Sequence, residues 1–243
     1  MARQQTAGTC QLCRGTFGKT AMTRHLQKCL ASSGAAASLR ASKTRGRLLH
    51  LAVQGKYTSA YWLHVEVPAA ATFGDLDNFL RAIWLECCGH CSAFHLKKAV
   101  KRPARSASPA RESFLSSLPW EMDDIAPDSP SMENHLGAAL QVGETFAYEY
   151  DFGSTTDLTL RIVSEREGPI PKQQPVRLLA RNDPPVISCG VCGERATQVC
   201  ALCSDNESGW LCRSCAKKHE CGEEMFLPVV NSPRTGVCGY TGN

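Results

Sequence analysis

At 243 residues, 43% hydrophobic, the chain has room for one medium domain with small satellites, and 7% aromatic residues point to a modest core. Residues 1–8 lack the apolar core of a signal peptide, and no stretch approaches the length needed to cross a bilayer. The expectation is therefore a soluble cytoplasmic protein, with no membrane partner, whose 14 cysteines are reduced and metal-bound, not disulfide-linked.

The net charge of +4 conceals an asymmetry. Residues 1–65 carry ten Lys/Arg and no acid, the first acidic residue being Glu66; the remainder carries 17 basic against 23 acidic residues. Positive charge gathered at one end is the electrostatic footprint of a nucleic-acid contact, and a solvated basic tail is the plain alternative.

Residues 1–30 hold Cys10, Cys13, His25 and Cys29, with Phe17 and Met22 between the pairs. This resembles a C2H2-type zinc finger whose last ligand is cysteine. A knuckle supplies the first pair, and a helix projects His25 and Cys29, at i and i+4, from one face. The spacer from Cys13 to His25 is one residue shorter than usual. Arg14, Lys19, Arg24 and Lys28 are placed to hold phosphates, although one finger reads only about three base pairs. Residues 31–47 read as a basic linker, adding Arg40, Lys43, Arg45 and Arg47 to the candidate contacts.

An α+β domain is expected over 48–183: a mixed or antiparallel sheet with a packed helix, flanked by small zinc-stabilised modules. The run from Tyr57 to Val67 alternates as a strand, with Trp62, His64 and Glu66 on one face and Leu63, Val65 and Val67 on the other. Thr72 and Asp75 form a capping box for a helix that buries Leu76, Phe79, Leu80, Ile83 and Cys87 and stops at Gly89. A strand over Cys91–Leu96 follows, then a flexible insertion near 103–134. Next, Thr145–Phe152 alternates with Phe146, Tyr148, Tyr150 and Phe152 on one face, and Leu158, Leu160 and Ile162 mark a return strand.

Cys87-Cys-Gly-His-Cys91 packs sulfur and imidazole across a helix end. With Cys87 turned to the core and Cys88 away from it, structural packing is the expected role, with a metal or redox site as the alternative. Asp151-Phe-Gly153 matches a kinase magnesium motif by coincidence, since the glycine-rich loop, strand lysine and catalytic loop are absent.

Residues 184–243 contain the densest pattern: Cys189/Cys192, Cys200/Cys203, Cys212/Cys215, His219 and Cys221. Each Cys-x-x-Cys pair is half of a tetrahedral site, so eight soft ligands make two closed sites. Interleaved pairing of the treble-clef or B-box kind places Cys189, Cys192, Cys212 and Cys215 on one ion. Cys200, Cys203, His219 and Cys221 take the other. Sequential pairing is the alternative, and Cys238 is a substitute for Cys221. With the finger, about three Zn2+ ions are expected, each site contributing on the order of 10 kcal/mol to folding.

Several segments together resemble the plasmid pRiA4b open-reading-frame-three-like family. They are Tyr61–His64, Leu76–Phe94 with its Cys-Cys-Gly-His-Cys run, Phe146–Thr156, Ala180–Pro185 and Asn231–Tyr240. The resemblance implies a compact α+β domain and a prokaryotic, mobile-element setting. It brings no catalytic residues.

Three functions follow. The first is a non-catalytic zinc-binding protein that contacts nucleic acid, DNA more than RNA, through its basic N-terminal third, while the remainder holds a second partner or forms a homodimer. The second is a protein–protein adaptor using the C-terminal zinc module. The third is an enzyme using Cys87, Cys88, His90 and Cys91.

Overall fold

The computed structural model describes residues 6–32, 44–96, 129–170 and 175–242. Arg40, Lys43, most of the expected linker and most of the expected insertion lie outside these residues.

The fold is α+β, built on one eight-stranded sheet in the order β2-β1-β8-β4-β3-β7-β6-β5. The strands are β1 (Ala7–Cys10), β2 (Thr16–Gly18), β3 (Arg45–Gly55), β4 (Trp62–Pro68), β5 (Ser92–His95), β6 (Thr145–Tyr150), β7 (Thr156–Pro169) and β8 (Arg177–Asn182). All its pairings are antiparallel, so no mixed sheet forms. The spine is β3, which pairs with β4 on one side and with β7 along its whole length on the other. It begins at Arg45, so the last three residues assigned to the linker are already strand.

One face of the sheet is covered by α2 (Phe73–Leu80) and the short α3 (Leu136–Ala139). The expected capping box is present: the Asp75 amide donates to Thr72 Oγ1 at 3.1 Å, and the Thr72 amide donates to Asp75 Oδ2 at 2.9 Å. Beneath α2, alternate residues of β6 (Phe146, Tyr148, Tyr150) and β7 (Leu158, Leu160, Ile162) are buried with Leu63, Val65 and Val67. Asp77 faces this core and is satisfied there, accepting from Arg81 Nε, Ser92 Oγ and the Tyr148 hydroxyl at 2.6–2.7 Å.

Two local departures from the sequence reading have physical causes. The helix widens into a π turn over Arg81–Leu85, which slips the register and brings Trp84 fully into the core, while Ile83 and Cys87 pack only at its edge. Strand β6 ends at Tyr150 because Asp151 adopts φ +66°, so Phe152 is turned out and exposed instead of continuing the apolar face. The segment from Ser129 to Glu133, assigned to the insertion, lies against α2: the Gly74 amide donates to the Met132 carbonyl at 2.8 Å.

The opposite face carries α1 (Lys19–Ser32), the helix of the N-terminal unit. That unit does not stand apart. Strand β1 pairs with β8, Gly8 lying opposite Asn182, and its residues extend the sheet. Gly8 is needed for this approach, because a Cβ there would meet the Arg181 carbonyl and the Trp62 ring. Met22, Leu26 and Leu30 of α1 pack with Trp62, Leu179 and Ala180 into a second core.

This second cover explains why every residue of β4 is buried, where simple alternation predicts one wet face. Its polar residues are paired: Glu66 accepts two bonds from Arg166, at 2.7 and 2.8 Å. His64 Nδ1 lies 2.9 Å from His50 Nε2, and Thr23 of α1 and Ser164 of β7 flank the pair at 3.4 Å. Burial pushes His50 down to about 4 and His64 down to about 3, from an ordinary 6.5.

Above pH 6.5 both imidazoles are neutral whether the chain is folded or unfolded, and they add no pH dependence. As pH falls below 6.5 the unfolded chain takes up protons that the folded one refuses, so stability declines until the buried rings protonate near pH 4 and below. Urea titrations at pH 7 and pH 5 should show this decline, and a His50→Gln/His64→Gln variant should lose less over the same interval.

Candidate metal centres

Among the described residues the fold draws thirteen cysteines and three histidines into four sets, within each of which the candidate ligand atoms lie within 4.8 Å of one another. None of the 14 cysteines is joined in a disulfide.

The first set is Cys10, Cys13, His25 and Cys29. Cys10 ends β1, and a tight turn carries Cys13 back toward it, closed by the Cys10 amide on the Gly15 carbonyl and the Arg14 amide on the Cys10 carbonyl, both 2.9 Å. Arg14 takes the left-handed conformation that this turn requires. His25 and Cys29 stand one turn apart on α1, with His25 Nε2 3.2 Å from Cys13 Sγ. Phe17 stacks on the His25 ring at 4.0 Å between centroids, fixing its orientation. The backbone at Gly15 holds the Cys13 thiol below its ordinary value.

The second and third sets lie in the tail, around a small sheet in the order β10-β9-β11 made of β9 (Gln198–Cys200), β10 (Trp210–Leu211) and β11 (Phe226–Pro228), with α4 (Arg213–Ala216) following β10. The pairing is interleaved. Cys189 and Cys192 meet Cys212 and Cys215, and Cys200 and Cys203 meet His219 and Cys221. Cys192 and Cys212 sulfurs are 3.6 Å apart, and those of Cys203 and Cys221 are 3.9 Å apart. His219 Nε2 is buried with no hydrogen-bond partner, a nitrogen that a metal ion would satisfy. Helix α4 starts on the third knuckle itself, with Cys212 at its N-cap position.

The fourth set is Cys87, Cys88, His90 and Cys238. The sequence reading expected packing here, with Cys87 and Cys88 on opposite sides of a continuing helix. Instead the helix is finished by Glu86, whose ψ of 124° is extended, and the two sulfurs come within 3.6 Å beyond it. Cys88 Sγ and Cys238 Sγ lie 2.9 and 3.2 Å from His90 Nε2. Cys91 is not among these ligands. Arg234, completely buried, approaches Cys87 Sγ at 3.5 Å and Asp151 Oδ2 at 2.7 Å. Sequence reasoning placed no role on Arg234 or Asp151. The available signal was that both belong to segments that carry the family resemblance, as do Cys88 and Cys238.

Donor chemistry and spacing fit a tetrahedral ion. Metal–sulfur bonds of about 2.3 Å and metal–nitrogen bonds of about 2.0 Å place tetrahedral ligands roughly 3.5–3.8 Å apart. The thiols also perturb one another as a cation would correct. Burial opposes ionisation of Cys189, but backbone amides of Cys212, Cys192 and Val191 outweigh it and hold that thiol down to about 6. Its neighbour Cys215, beside the Cys192 and Cys212 sulfurs, is pushed up to about 12. Cys200 and Cys221 divide in the same way, at about 7 and about 11. One thiolate discourages the next, and a bound cation removes the conflict.

Of the candidate nucleic-acid contacts, Arg14, Arg24, Lys28, Arg45 and Arg47 are exposed, Arg14 donating to Gln11 Oε1 at 2.9 Å. Lys19 donates to Gln54 Oε1, and Arg47 donates to the Gly137 carbonyl and pairs with Glu165 at 3.7 Å. These two side chains are engaged on the protein itself.

The fold and its sites define an α+β protein carrying four Cys/His groups able to hold metal ions. No family model matches the chain, and no curated protein matches it. Among solved structures, a protein of unknown function from Methanosarcina mazei Go1 is similar over 56% of this chain and 68% of its own, at 19% identity and a TM-score of 0.39.

The tail offers the sharpest test of metal dependence. Its apolar cluster is small, made of Cys189, Leu211, Cys212 and Ala216 with Cys215 and Phe226 at the edge. Removing metal with a chelator at pH 7 should abolish amide-exchange protection over residues 187–228, an apparent loss on the order of 10 kcal/mol per site, while β3 and β7 stay protected.

Proposed function

We propose that the protein is a non-catalytic zinc-binding protein that contacts DNA through its basic N-terminal third. Tetrahedral sulfur and imidazole ligation favours zinc over the other common divalent ions, and four protein ligands per ion leave no position for a substrate. Cys10, Cys13, His25 and Cys29 would hold the finger's ion, and the two interleaved sets would hold those of the tail.

One observation carries the nucleic-acid part. Helix α1 turns Met22, Leu26, Cys29 and Leu30 inward and presents Thr20, Arg24, Gln27 and Lys28 along its exposed side, in a region with no acidic residue before Glu66. A basic helical stripe on a segment that itself carries no acid is what counterion-releasing contact requires. Kinship with the pRiA4b-type proteins, and the mobile-element setting it implies, belong to the same proposal and rest on the shared sequence motifs.

The test is salt-dependent binding to duplex DNA by the zinc-loaded protein. Replacing Arg24, Lys28 and Arg45 with Ala should weaken binding and flatten the plot of log K against log salt by about one unit for each phosphate left unpaired. Unchanged affinity and slope would refute the proposal.

A second reading, the adaptor, is favoured by the tips of two tail knuckles. Val191 and Leu202 occupy the same place in their Cys-x-x-Cys turns and are 68% and 71% exposed, two apolar side chains where a zinc knuckle has no packing use for them. If the tail docks a protein, Val191→Asp/Leu202→Asp should abolish that complex by pull-down and leave metal content and DNA binding intact.

A further inference from the structure

We propose that Cys87, Cys88, His90 and Cys238 bind a fourth zinc ion, which fastens residues 231–240 onto the central domain. The inference rests on the zinc-binding reading above and adds a centre that bridges two parts of the chain far apart in sequence.

The three ligands from the central domain come from the stretch between the π turn and β5, where Gly89 adopts φ +78° and lets the chain fold back so that His90 returns over Cys88. The fourth arrives from the other side. Cys238 is one of three non-glycine residues with positive φ among the described residues, at +49°, and Gly239 follows at +67°. A cysteine held in a conformation that costs free energy, with its sulfur 3.8 Å from Cys88 and 3.2 Å from His90, needs something at that point to hold it.

The surroundings are those of a metal site. His90 offers Nε2 to the sulfurs, and its Nδ1 lies 3.5 Å from Asp151 Oδ1, the carboxylate–imidazole relation that orients a metal-bound histidine. The His90 ring also meets the Tyr150 ring edge-on. Asp151 is fixed by the Gly153 and Ser154 amides and by Arg234. Three thiolates around a divalent cation leave one negative charge in excess, and the Arg234 guanidinium, shared with Asp151, stands 3.5 Å from Cys87 Sγ and eases that charge. Cys238 and Arg234 lie on the same short segment, so the residue that ligates and the cation beside the thiolates arrive together. A plain surface cluster of thiols would need neither the oriented imidazole nor the buried cation.

None of the four ligands is buried, whereas each of the other three sets contains at least one buried cysteine. The fourth ion is therefore the one most open to exchange. In a metal-release assay with a colorimetric chelator it should leave first, as a separate fast phase.

The experiment is zinc counting by native mass spectrometry on the full chain, reduced and loaded with zinc. The expected result is four ions for the unaltered protein, three for Cys238→Ser and three for Cys88→Ser, with the fast release phase lost in both. Cys91→Ser, beside the site but outside it, should keep four ions and the fast phase. If Cys238→Ser does not fold, Cys88→Ser and the release kinetics of the unaltered protein still decide the matter. Three ions in the unaltered protein, with no change in either variant, would overturn this centre and leave the zinc reading standing. A Cys88–Cys238 disulfide found by peptide mapping of protein kept under reducing conditions would overturn it equally. No zinc at all would overturn both.

Discussion

Strand β8 has to be paired along both edges, and the arrangement of the whole molecule follows from how that is done. On one edge it pairs with β4; on the other it would present bare amides and carbonyls if β1 did not occupy it. The Gln11 amide on the Leu179 carbonyl and the Asp183 amide on the Ala7 carbonyl, both 2.8 Å, extend that union past the strand ends. Closing this edge anchors the finger to the sheet, which in turn brings α1 over Trp62 and His64 and gives the sheet its second cover. The same strand leads directly into the tail. Asn182, at its end, donates to Asn231 Oδ1 and accepts from Asn231 Nδ2, both 2.8 Å, so the closing segment is tied to it as well.

The two covers of the sheet differ in chemistry. Under α2 the interface is apolar apart from Asp77, whose acceptors are used by three donors. The opposite face holds an imidazole pair beside α1 and, farther along β4, a carboxylate–guanidinium pair, each internally matched. Buried polar groups of this kind fix relative position more than they add stability, because a shift of β7 leaves Glu66 without Arg166 and a shift of α1 takes Thr23 away from His64.

Local chemistry was legible in the sequence where a single segment determines it. The capping box at Thr72, the alternation of Phe146, Tyr148 and Tyr150, and the spacing that sorts the tail cysteines into interleaved pairs each follow from interactions within a few dozen residues. The π turn was not legible, since nothing in Arg81–Leu85 forbids an ordinary helix, and its register slip is what frees Cys87 and Cys88 from the fate that periodicity assigned them. The docking of β1 on β8 and the meeting of Cys238 with Cys88 join residues more than a hundred positions apart, and no periodicity within either segment reports on the other. The two motifs that carry these thiols contained the information only jointly.

Arg234 makes a different demand on the chain. It fills the space behind Tyr150 with its guanidinium 4.8 Å from the ring and supplies the counter-charge for Asp151, while Ser232 donates to the Trp84 carbonyl at 2.6 Å. The oldest part of that neighbourhood leaves the ribosome long before its last component is translated. Until Arg234 is in place, Asp151 lacks its guanidinium partner and one face of the Tyr150 ring lacks its cover, so full consolidation of this part of the sheet depends on the downstream tail.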